Sequence, residues 1–504
     1  MNAKKILVWL LIISLLLASF CACSQKDKET NGAGETTDAP VDTSPVQIED
    51  AGVDFWIETN AGFESATEGT TEDFDFEVTN GTVTILSYKG KNEHLIIPAE
   101  LGGLPVTAIA DGAFAVPEEE KKDPNAEETT KAPEEGTGKE EEPEKVPQVL
   151  LKTLIIPESV TTIGAGILAR CDALHSLQTP LMGANKESTQ YLGYLFGAPS
   201  HEDNARDIPA SLKCLRLTGE WQSLPAYSLF DCNDLICLAL PQNVTVLEKF
   251  AIFNGASLRQ IDGLENVTVF GDRSLMNCES LQIVTISDTA ERIGYGTFEG
   301  CMSIRSMTLP FVGGSREENT YLGYIFGAAH PDFAKGFYPK RLAKITLTDV
   351  CQTLENYAFF ECESLKEITL SAFLTSIGVR AFYGCTSLWS ITLPDSVTTV
   401  RELAFAECDA LTTIQFGMGL TKLGINAFYN CDSLAEVVLP ASLKAIPASC
   451  FAGCTSLVRV DLGGVTSVGA EAFRHCDAIE NVTAAGNVTF GAGNDAVKSL
   501  LESK

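Results

Sequence analysis

The sequence predicts an α/β repeat solenoid, a right-handed stack of about twelve 23-residue turns with short parallel strands and one-turn helices. Three observations predict it. A cysteine-centred phrase, as in "AFYGCTSL" and "AFAECDAL", returns at a constant interval, the apolar residues around it move in step, and two longer steps carry the same excess length. Internal periods of about 20 to 50 residues indicate a repeat architecture, because each unit can bury its apolar face only against the next one.

The cysteine column shows the period most clearly. Its positions in chain order are Cys171, Cys232, Gly255, Cys278, Cys301, Cys362, Cys385, Cys408, Cys431, Cys454 and Cys476. Most steps equal the 23-residue period and the last is shorter by one, whereas the steps 171–232 and 301–362 each carry the same 38-residue excess. The excess segments match at an offset of 130, as in "STQYLGYLFGA" and "NTYLGYIFGA". We therefore predict equivalent insertions near 180–212 and 310–342.

Each repeat divides into three short elements. The pattern L-x-x-I-x-L-P is typical of a strand whose alternate residues enter the core and which proline ends. The pattern V-T-x-I-G predicts a second extended piece closed by a glycine turn, and A-F-x-x-C predicts about one helical turn anchored by phenylalanine. A hairpin signal after Phe74 and an apolar helical face of Val497, Leu500 and Leu501 predict caps, since open strand edges need cover.

The N-terminus has the pattern of an exported, lipid-anchored protein. "MNAKKILVWLLIISLLLASFCAC" contains two lysines, an apolar run that is short for a membrane span, and Cys23 after a small residue. This resembles a bacterial lipobox, in which cleavage leaves a lipid-bearing cysteine at the mature N-terminus; ordinary secretion with cleavage nearby is the alternative. We predict a signal peptide at 1–22, lipidation of Cys23, and a location on the extracellular face of the bacterial membrane.

Composition predicts the remaining boundaries. Residues 23–73 begin with a polar stretch that is poor in aromatic residues, which predicts a disordered tether. Residues 74–116 are predicted to form the N-terminal cap hairpin and the first repeat. Residues 117–146 hold 12 acids and 5 lysines and predict a disordered acidic insertion. The solenoid is predicted to continue over 147–480, and 481–504 to form the C-terminal cap.

Charge and cysteine usage narrow the classes of function. The formal net charge of −31 argues against binding nucleic acid or an anionic lipid surface. Interior cysteines of the column have two equivalent neighbours each, which favours buried free thiols over pairing along the column. Cys214 and Cys237, one period apart in an outward strand slot on adjacent strands, predict a disulfide. The sequence has no cysteines and histidines at the spacing of zinc ligands and no signature of a catalytic nucleophile. We therefore predict no catalytic, metal or cofactor site and no enzymatic activity.

One surface is a candidate binding face. The outward slot after the repeated Leu or Ile holds Arg259, Arg305 and Lys366, a basic row that ends beside Trp389. Exposed tryptophan and arginine are common anchors of interfaces, so we hypothesise that this row docks an acidic or extended partner. The alternative is a solvated strand face whose polar residues vary freely.

The segments "IPESVTTIGAGILARCDAL", "LPDSVTTVRELAFAECDAL" and "YLGYIFGA" resemble the BspA-like leucine-rich repeat proteins, over roughly residues 74–480. The resemblance implies a leucine-rich-repeat-type stack on a bacterial surface protein; some members bind host matrix proteins or other cells. It supplies no fixed binding residues. We therefore expect a monomer that mediates protein–protein interaction or adhesion to host or other cells and contacts the membrane only through its N-terminal lipid. The alternatives are a carbohydrate-binding surface lipoprotein and an envelope scaffold without an external ligand.

Overall fold

The computed structural model describes residues 62–117 and 150–503, all within one compact unit. They form a solenoid in which strands of neighbouring turns pair in parallel, which confirms the predicted fold class. Cys23, the predicted signal peptide and almost all of the predicted acidic insertion lie outside the described residues.

Most turns contribute one strand to each of two rows. The strands in chain order are β1 (Thr67–Glu68), β2 (Phe74–Thr79), β3 (Thr82–Tyr88), β4 (His94–Ile96), β5 (Glu100–Leu101), β6 (Leu104–Ile109), β7 (Thr153–Ile155), β8 (Thr162–Ile163), β9 (Ser176–Thr179), β10 (Cys214–Leu217), β11 (Ser223–Leu224), β12 (Cys237–Ala239), β13 (Val246–Leu247), β14 (Gln260–Asp262), β15 (Val269–Phe270), β16 (Ile283–Thr285), β17 (Arg292–Ile293), β18 (Ser306–Leu309), β19 (Lys344–Leu347), β20 (Thr353–Leu354), β21 (Glu367–Thr369), β22 (Ser376–Ile377), β23 (Ser390–Thr392), β24 (Thr399–Val400), β25 (Thr413–Gln415), β26 (Lys422–Leu423), β27 (Glu436–Val438), β28 (Ala445–Ile446), β29 (Arg459–Asp461), β30 (Ser467–Val468), β31 (Asn481–Thr483) and β32 (Thr489–Phe490).

The front row consists of parallel sheets of seven, four and five strands, ordered β1-β4-β7-β9-β10-β12-β14, β16-β18-β19-β21 and β23-β25-β27-β29-β31. The back row contains β11-β13-β15-β17, β20-β22-β24-β26 and β28-β30-β32, and begins with β2-β3-β6-β5, where β8 also pairs with β6. Besides the helical residues 62–64, the described residues contain the α-helices α1 (Asn204–Asp207) and α2 (Asp495–Glu502). The 3₁₀ helices span Thr71–Asp73, Leu192–Phe196, His201–Asp203, Leu264–Asn266, Leu322–Phe326 and Pro331–Gly336.

The described residues contain sixteen front strands, more than the twelve turns predicted. Two of the four additional strands arise because each 38-residue excess is a complete longer turn, and the other two are β1 and β4 at the N-terminal end. Ser176 of β9 is the register partner of Cys214 of β10, and Ser306 of β18 is the partner of Lys344 of β19. The stack also begins at β1, ahead of Phe74, and extends through β31.

The repeated threonine of the back row forms hydrogen bonds between successive turns. The Thr268 hydroxyl donates to the carbonyl oxygen of Thr245 at 3.3 Å, and the Thr421 hydroxyl donates to that of Thr398 at 3.1 Å. We call this position, directly before each back strand, the back slot. Its threonines are Thr161, Thr245, Thr268, Thr375, Thr398, Thr421 and Thr466.

The A-F-x-x-C segments are tight turns and not the predicted one-turn helices. Phe382 N–H donates to Ala404 O in the next turn at 2.7 Å, and Phe405 N–H donates to Ala427 O at 2.8 Å. These amides are therefore directed between turns, where they cannot close helical hydrogen bonds. Two residues per turn adopt the left-handed conformation, such as Leu403 and Glu407 with φ of 55° and 59°.

Phenylalanine rings and thiols form the core of the C-terminal half. Neighbouring rings of the stack lie 4.9–5.5 Å apart between centroids, with interplanar angles of 2–20°. The rings are Phe359, Phe382, Phe405, Phe428, Phe451 and Phe473. Beside them, Cys408 Sγ donates to Phe382 O at 3.2 Å. The column cysteines in the described residues are free and buried, and burial raises the pKa of Cys362 to about 12, so this thiol stays protonated at neutral pH.

Candidate interaction surface

The predicted basic row stands directly before the front strands, and we call it the front column. In successive turns it reads Arg259, Gln282, Arg305, Ala343, Lys366 and Trp389. Backbone hydrogen bonds join its members: Lys366 N–H donates to Ala343 O at 2.9 Å, and Trp389 N–H donates to Lys366 O. Lys366 and Trp389 are therefore neighbours on adjacent turns.

The front column is less basic than the sequence pattern indicated. Ala343 separates Arg305 from Lys366 because the 38-residue segment is a full turn with its own front strand. Arg305 and Lys366 therefore lie two strand spacings apart, about 10 Å. Gln282 separates Arg259 from Arg305 in the same way, so each of the three cations is two turns from the next.

Arg305 and Trp389 are half-buried, although the sequence pattern suggested an exposed tryptophan. The Arg305 guanidinium donates to Gln282 Oε1 on the preceding turn, which holds the side chain along the column. Arg305 Nε and Trp389 Nε1 are both inaccessible to solvent and have no hydrogen-bond partner in the described part of the chain. These two large side chains therefore lie against the surface and do not extend into solvent.

The strand face beside the front column is polar and nearly neutral. Register pairing aligns Thr285, Thr308, Thr346 and Thr369 as one outward column across four strands. Lys344 and Glu367 form an ion pair at 4.0 Å on this face. The sequence reasoning did not identify this threonine column, although the recurring I-T-L phrase in the repeats signals it.

Residues near the N-terminus of the described chain cover another part of the front row. Residues 62–64 are helical, and an added Cβ at Gly62 would lie 2.8 Å from Thr153 Oγ1. The Arg216 guanidinium carbon lies 4.3 Å from the centroid of the Phe63 ring. This packing buries the outward-facing Thr153 and Ser176. Residues 62–64, which fall in the predicted tether, therefore contact the sheet.

Cys214 and Cys237 are register partners on β10 and β12. Their Cα atoms lie 4.9 Å apart, and the structure joins their sulfur atoms in a disulfide. Both residues are buried.

The matched aromatic segments of the two long turns support the stack. Tyr191 Oη donates to Ala198 O and Tyr321 Oη donates to Ala328 O, each at 2.9 Å. Leu322 N–H donates to Ala358 O at 2.8 Å in the next turn. These contacts satisfy the tyrosine hydroxyls internally, so these aromatic residues act in packing.

The described residues contain no cluster of three or more His, Cys, Asp or Glu side chains that could hold a metal ion. Within residues 62–117 and 150–503, none of the helices has the length and apolar character needed to cross a bilayer.

Solved structures with detectable similarity include several bacterial leucine-rich repeat proteins. A Bacteroides ovatus protein is 20% identical over 81% of this chain and 92% of its own, with a TM-score of 0.30. A leucine-rich cell surface protein of Faecalibacterium prausnitzii is 18% identical over 85% and 96%, with a TM-score of 0.23. Superpositions at this level carry no functional information. None of the curated proteins matches the chain.

The family comparison agrees with the repeat geometry. The model of the BspA type leucine rich repeat region matches in six copies, over residues 209–318, 334–457 and 375–493. These ranges cover more than half of the chain and coincide with the stacked turns that carry the cysteine and phenylalanine columns. The chain therefore belongs to the BspA-type leucine-rich repeat family.

Proposed function

We propose that this protein is a lipid-anchored, cell-surface binding protein without enzymatic activity, which attaches to other proteins or cells through the front column. Family membership supports a role in protein–protein interaction. The neutral threonine face and the spaced cations support a partner that is extended and weakly acidic, because a strongly anionic partner would be repelled by the net charge of the chain.

The main support for this proposal is that Arg305 and Trp389 are half-buried. Large side chains that already lie against the surface lose little conformational freedom when a partner covers them. Tryptophan and arginine are also the residue types that dominate interface energetics. We therefore propose that the stretch from Arg305 to Trp389 is the centre of the contact.

The double variant Arg305→Glu plus Trp389→Ala tests this contact. We expect it to weaken binding of the full chain to immobilised fibronectin, fibrinogen or laminin by at least about 10-fold, which corresponds to about 1.4 kcal/mol. Surface plasmon resonance at two salt concentrations provides the measurement, since loss of a cationic contact also reduces the salt dependence.

The matched control is Arg459→Glu plus Phe373→Ala. It makes the same charge change on a front strand and removes an aromatic ring that is 60% exposed, away from the front column. This variant should bind as the unmodified chain does. Equal binding by both double variants, or no binding of the unmodified chain to the three proteins, would contradict the proposal.

We also propose that a lipid on Cys23 holds the protein on the extracellular face of a bacterial membrane. The order of lysines, apolar run and cysteine between Met1 and Cys23 supports this location. In a bacterial expression host, the full chain should then fractionate with membranes and incorporate labelled palmitate. Cys23→Ala should abolish the label, whereas Cys21→Ala should retain it; label that persists in Cys23→Ala would rule out this anchor.

A further inference from the structure

Two clefts open at equivalent places in the duplicated part of the solenoid. Cleft A, of about 190 Å³, lies between residues 180–190 of the first long turn and residues 220–225 of the turn after it. Cleft B, of about 310 Å³, lies between residues 310–320 of the second long turn and residues 350–355. Each cleft has one side formed by residues of a 38-residue turn and the other by residues of the turn that follows it.

The two clefts are built from corresponding residues. Every residue that lines cleft A has a counterpart in the lining of cleft B, at the same offset of 130 that relates the two long turns. Pro180 and Pro310 correspond in this way, and so do Lys186 and Arg316. The duplication has therefore preserved a cavity as well as a fold element.

The clefts also interrupt the pattern of the back slot. This slot is usually threonine, whose hydroxyl hydrogen-bonds to the preceding turn. Within the described residues, glutamine occupies it in two turns, as Gln222 in cleft A and Gln352 in cleft B, whereas Glu291, Lys444 and Val488 replace the threonine elsewhere. Both side chains are exposed, and neither carboxamide has a hydrogen-bond partner within the described residues. Gln222 and Gln352 lack the threonine hydroxyl that stabilises other turns, and their carboxamides are available to bind a ligand.

Cleft A has apolar walls and polar side chains around its opening. Leu181 and Trp221 form buried walls, and the Trp221 indole N–H is already used by Thr218 O at 2.8 Å. Lys186, Glu220 and Gln222 are exposed around the opening. The cavity therefore offers one cation, one carboxylate and one carboxamide above an apolar surface.

Cleft B repeats this chemistry with different side chains. The Arg316 guanidinium carbon lies 5.5 Å from the centroid of the Phe311 ring, and Nη2 donates to Asp288 O at 3.1 Å. Thr353 Oγ1 donates to Glu355 Oε1 at 3.1 Å and so orients this carboxylate. Burial raises the pKa of Cys351 to about 11, so the thiol in the wall is a protonated, apolar contact at neutral pH.

We propose that clefts A and B are two saccharide-binding sites, each for an uncharged sugar unit of a surface glycan. A sugar ring presents vicinal hydroxyls, which accept hydrogen bonds from a cation or carboxamide and donate to a carboxylate, while its C–H face packs on apolar walls. One cation beside one carboxylate leaves each lining without net charge, so neither cleft selects a charged ligand. The net charge of the chain further disfavours polyanionic glycans.

The spacing of the clefts favours a polymer. The two long turns begin at β9 and β18, which are five front strands apart, or about 24 Å at the usual strand spacing. A glycan chain long enough to reach both clefts gains affinity from the second contact without new chemistry, by up to about 10²- to 10⁴-fold. Singly occupied clefts of this size would bind a short sugar only weakly.

The test uses the full chain and affinity electrophoresis in gels that contain laminarin, yeast mannan or xyloglucan, with polygalacturonate and a casein peptide digest as charged and peptide probes. At least one neutral polysaccharide should retard the protein. Gln222→Thr plus Gln352→Thr should weaken this binding at least 10-fold, and each single variant should give an intermediate value. Both changes restore the residue that the chain's own repeats use, so folding is preserved.

The control is Thr421→Ala, in the back slot of a turn that contributes no residue to cleft A or cleft B, which should bind as the unmodified chain does. Arg305→Glu plus Trp389→Ala should also leave polysaccharide binding unchanged, which separates this proposal from the function proposed above. The proposal is overturned if no neutral polysaccharide binds, if only polygalacturonate or peptides bind, or if the double glutamine variant binds normally.

Discussion

Replacing Phe405 with alanine is expected to lower the free energy of unfolding of the solenoid by about 3–5 kcal/mol. Phe405 is fully buried and lies between two parallel rings, 4.9 Å from Phe382 and 5.2 Å from Phe428 between centroids. Its loss leaves a cavity that the turns on both sides cannot fill, because their backbones are held at the strand spacing. Urea unfolding followed by circular dichroism provides the measurement.

Phe373→Ala is the control for this substitution. Its ring is 60% exposed, so truncation should change stability by no more than about 0.5 kcal/mol. Repeat proteins can also unfold in part, because each turn contacts only its neighbours. Hydrogen exchange of Phe405→Ala should therefore show the largest loss of protection in the turns around β23, β25 and β27. Similar unfolding midpoints for the two variants would show that the ring stack does not stabilise the fold.

Gly378→Ala is expected to destabilise the protein by about 3 kcal/mol, at the upper end of the usual cost of overpacking. A Cβ at this position would lie 2.6 Å from Asn356 N and would also overlap the carbonyl carbon of Glu355, in the backbone of the preceding turn. Gly378 N–H donates to Leu354 O at 2.8 Å, so the residue cannot move away without breaking this contact between turns. Thermal unfolding provides the measurement.

Arg401 is the matched control for Gly378, because it occupies the same position one turn later. Arg401 already carries a Cβ, and its side chain is exposed, so Arg401→Ala should unfold within a few degrees of the unmodified protein. An equally stable Gly378→Ala protein would show that neighbouring turns can separate at this point, and would remove close approach as the reason for the glycine.

The core residues and the strands could be predicted from the sequence because they recur with the same period as the cysteines. Residues such as Leu388 and Ile391 recur in step with the cysteines, and recurring apolar residues in a repeat can be buried only between turns. The glycine after the repeated Ile was recognised as special, but for the wrong reason. Gly378 does not need a left-handed conformation; it needs space against the preceding backbone.

The A-F-x-x-C turn shows where local pattern fails. Its spacing is compatible with one turn of helix, but the Phe382 amide donates to the next turn and not to a residue within the segment. Hydrogen bonds between turns depend on stacking, which a local window of sequence does not contain. The same limit explains two of the four turns missing from the predicted count, since only strand register distinguishes an inserted loop from a 38-residue turn.

The candidate sites were less predictable than the fold. Ala343 interrupts the front column, and Trp389 lies half-buried, because side chains from several turns decide exposure. Residues 62–64 cover part of the front row although they are far in sequence from β9 and β10. The glutamines of clefts A and B were visible as departures from the threonine pattern, but the cavities beside them were not.

The sequence by itself determined the repeat, the residues that form the core columns and the family. It could do so because apolar residues at a constant period have one way to leave water, which is to stack on the next copy. Only the tertiary structure decided how many turns the chain makes, where the left-handed turns replace helices, which outward residues are covered, and where two clefts open. These features depend on contacts between residues that are one turn or many turns apart, and so on the register of the whole stack.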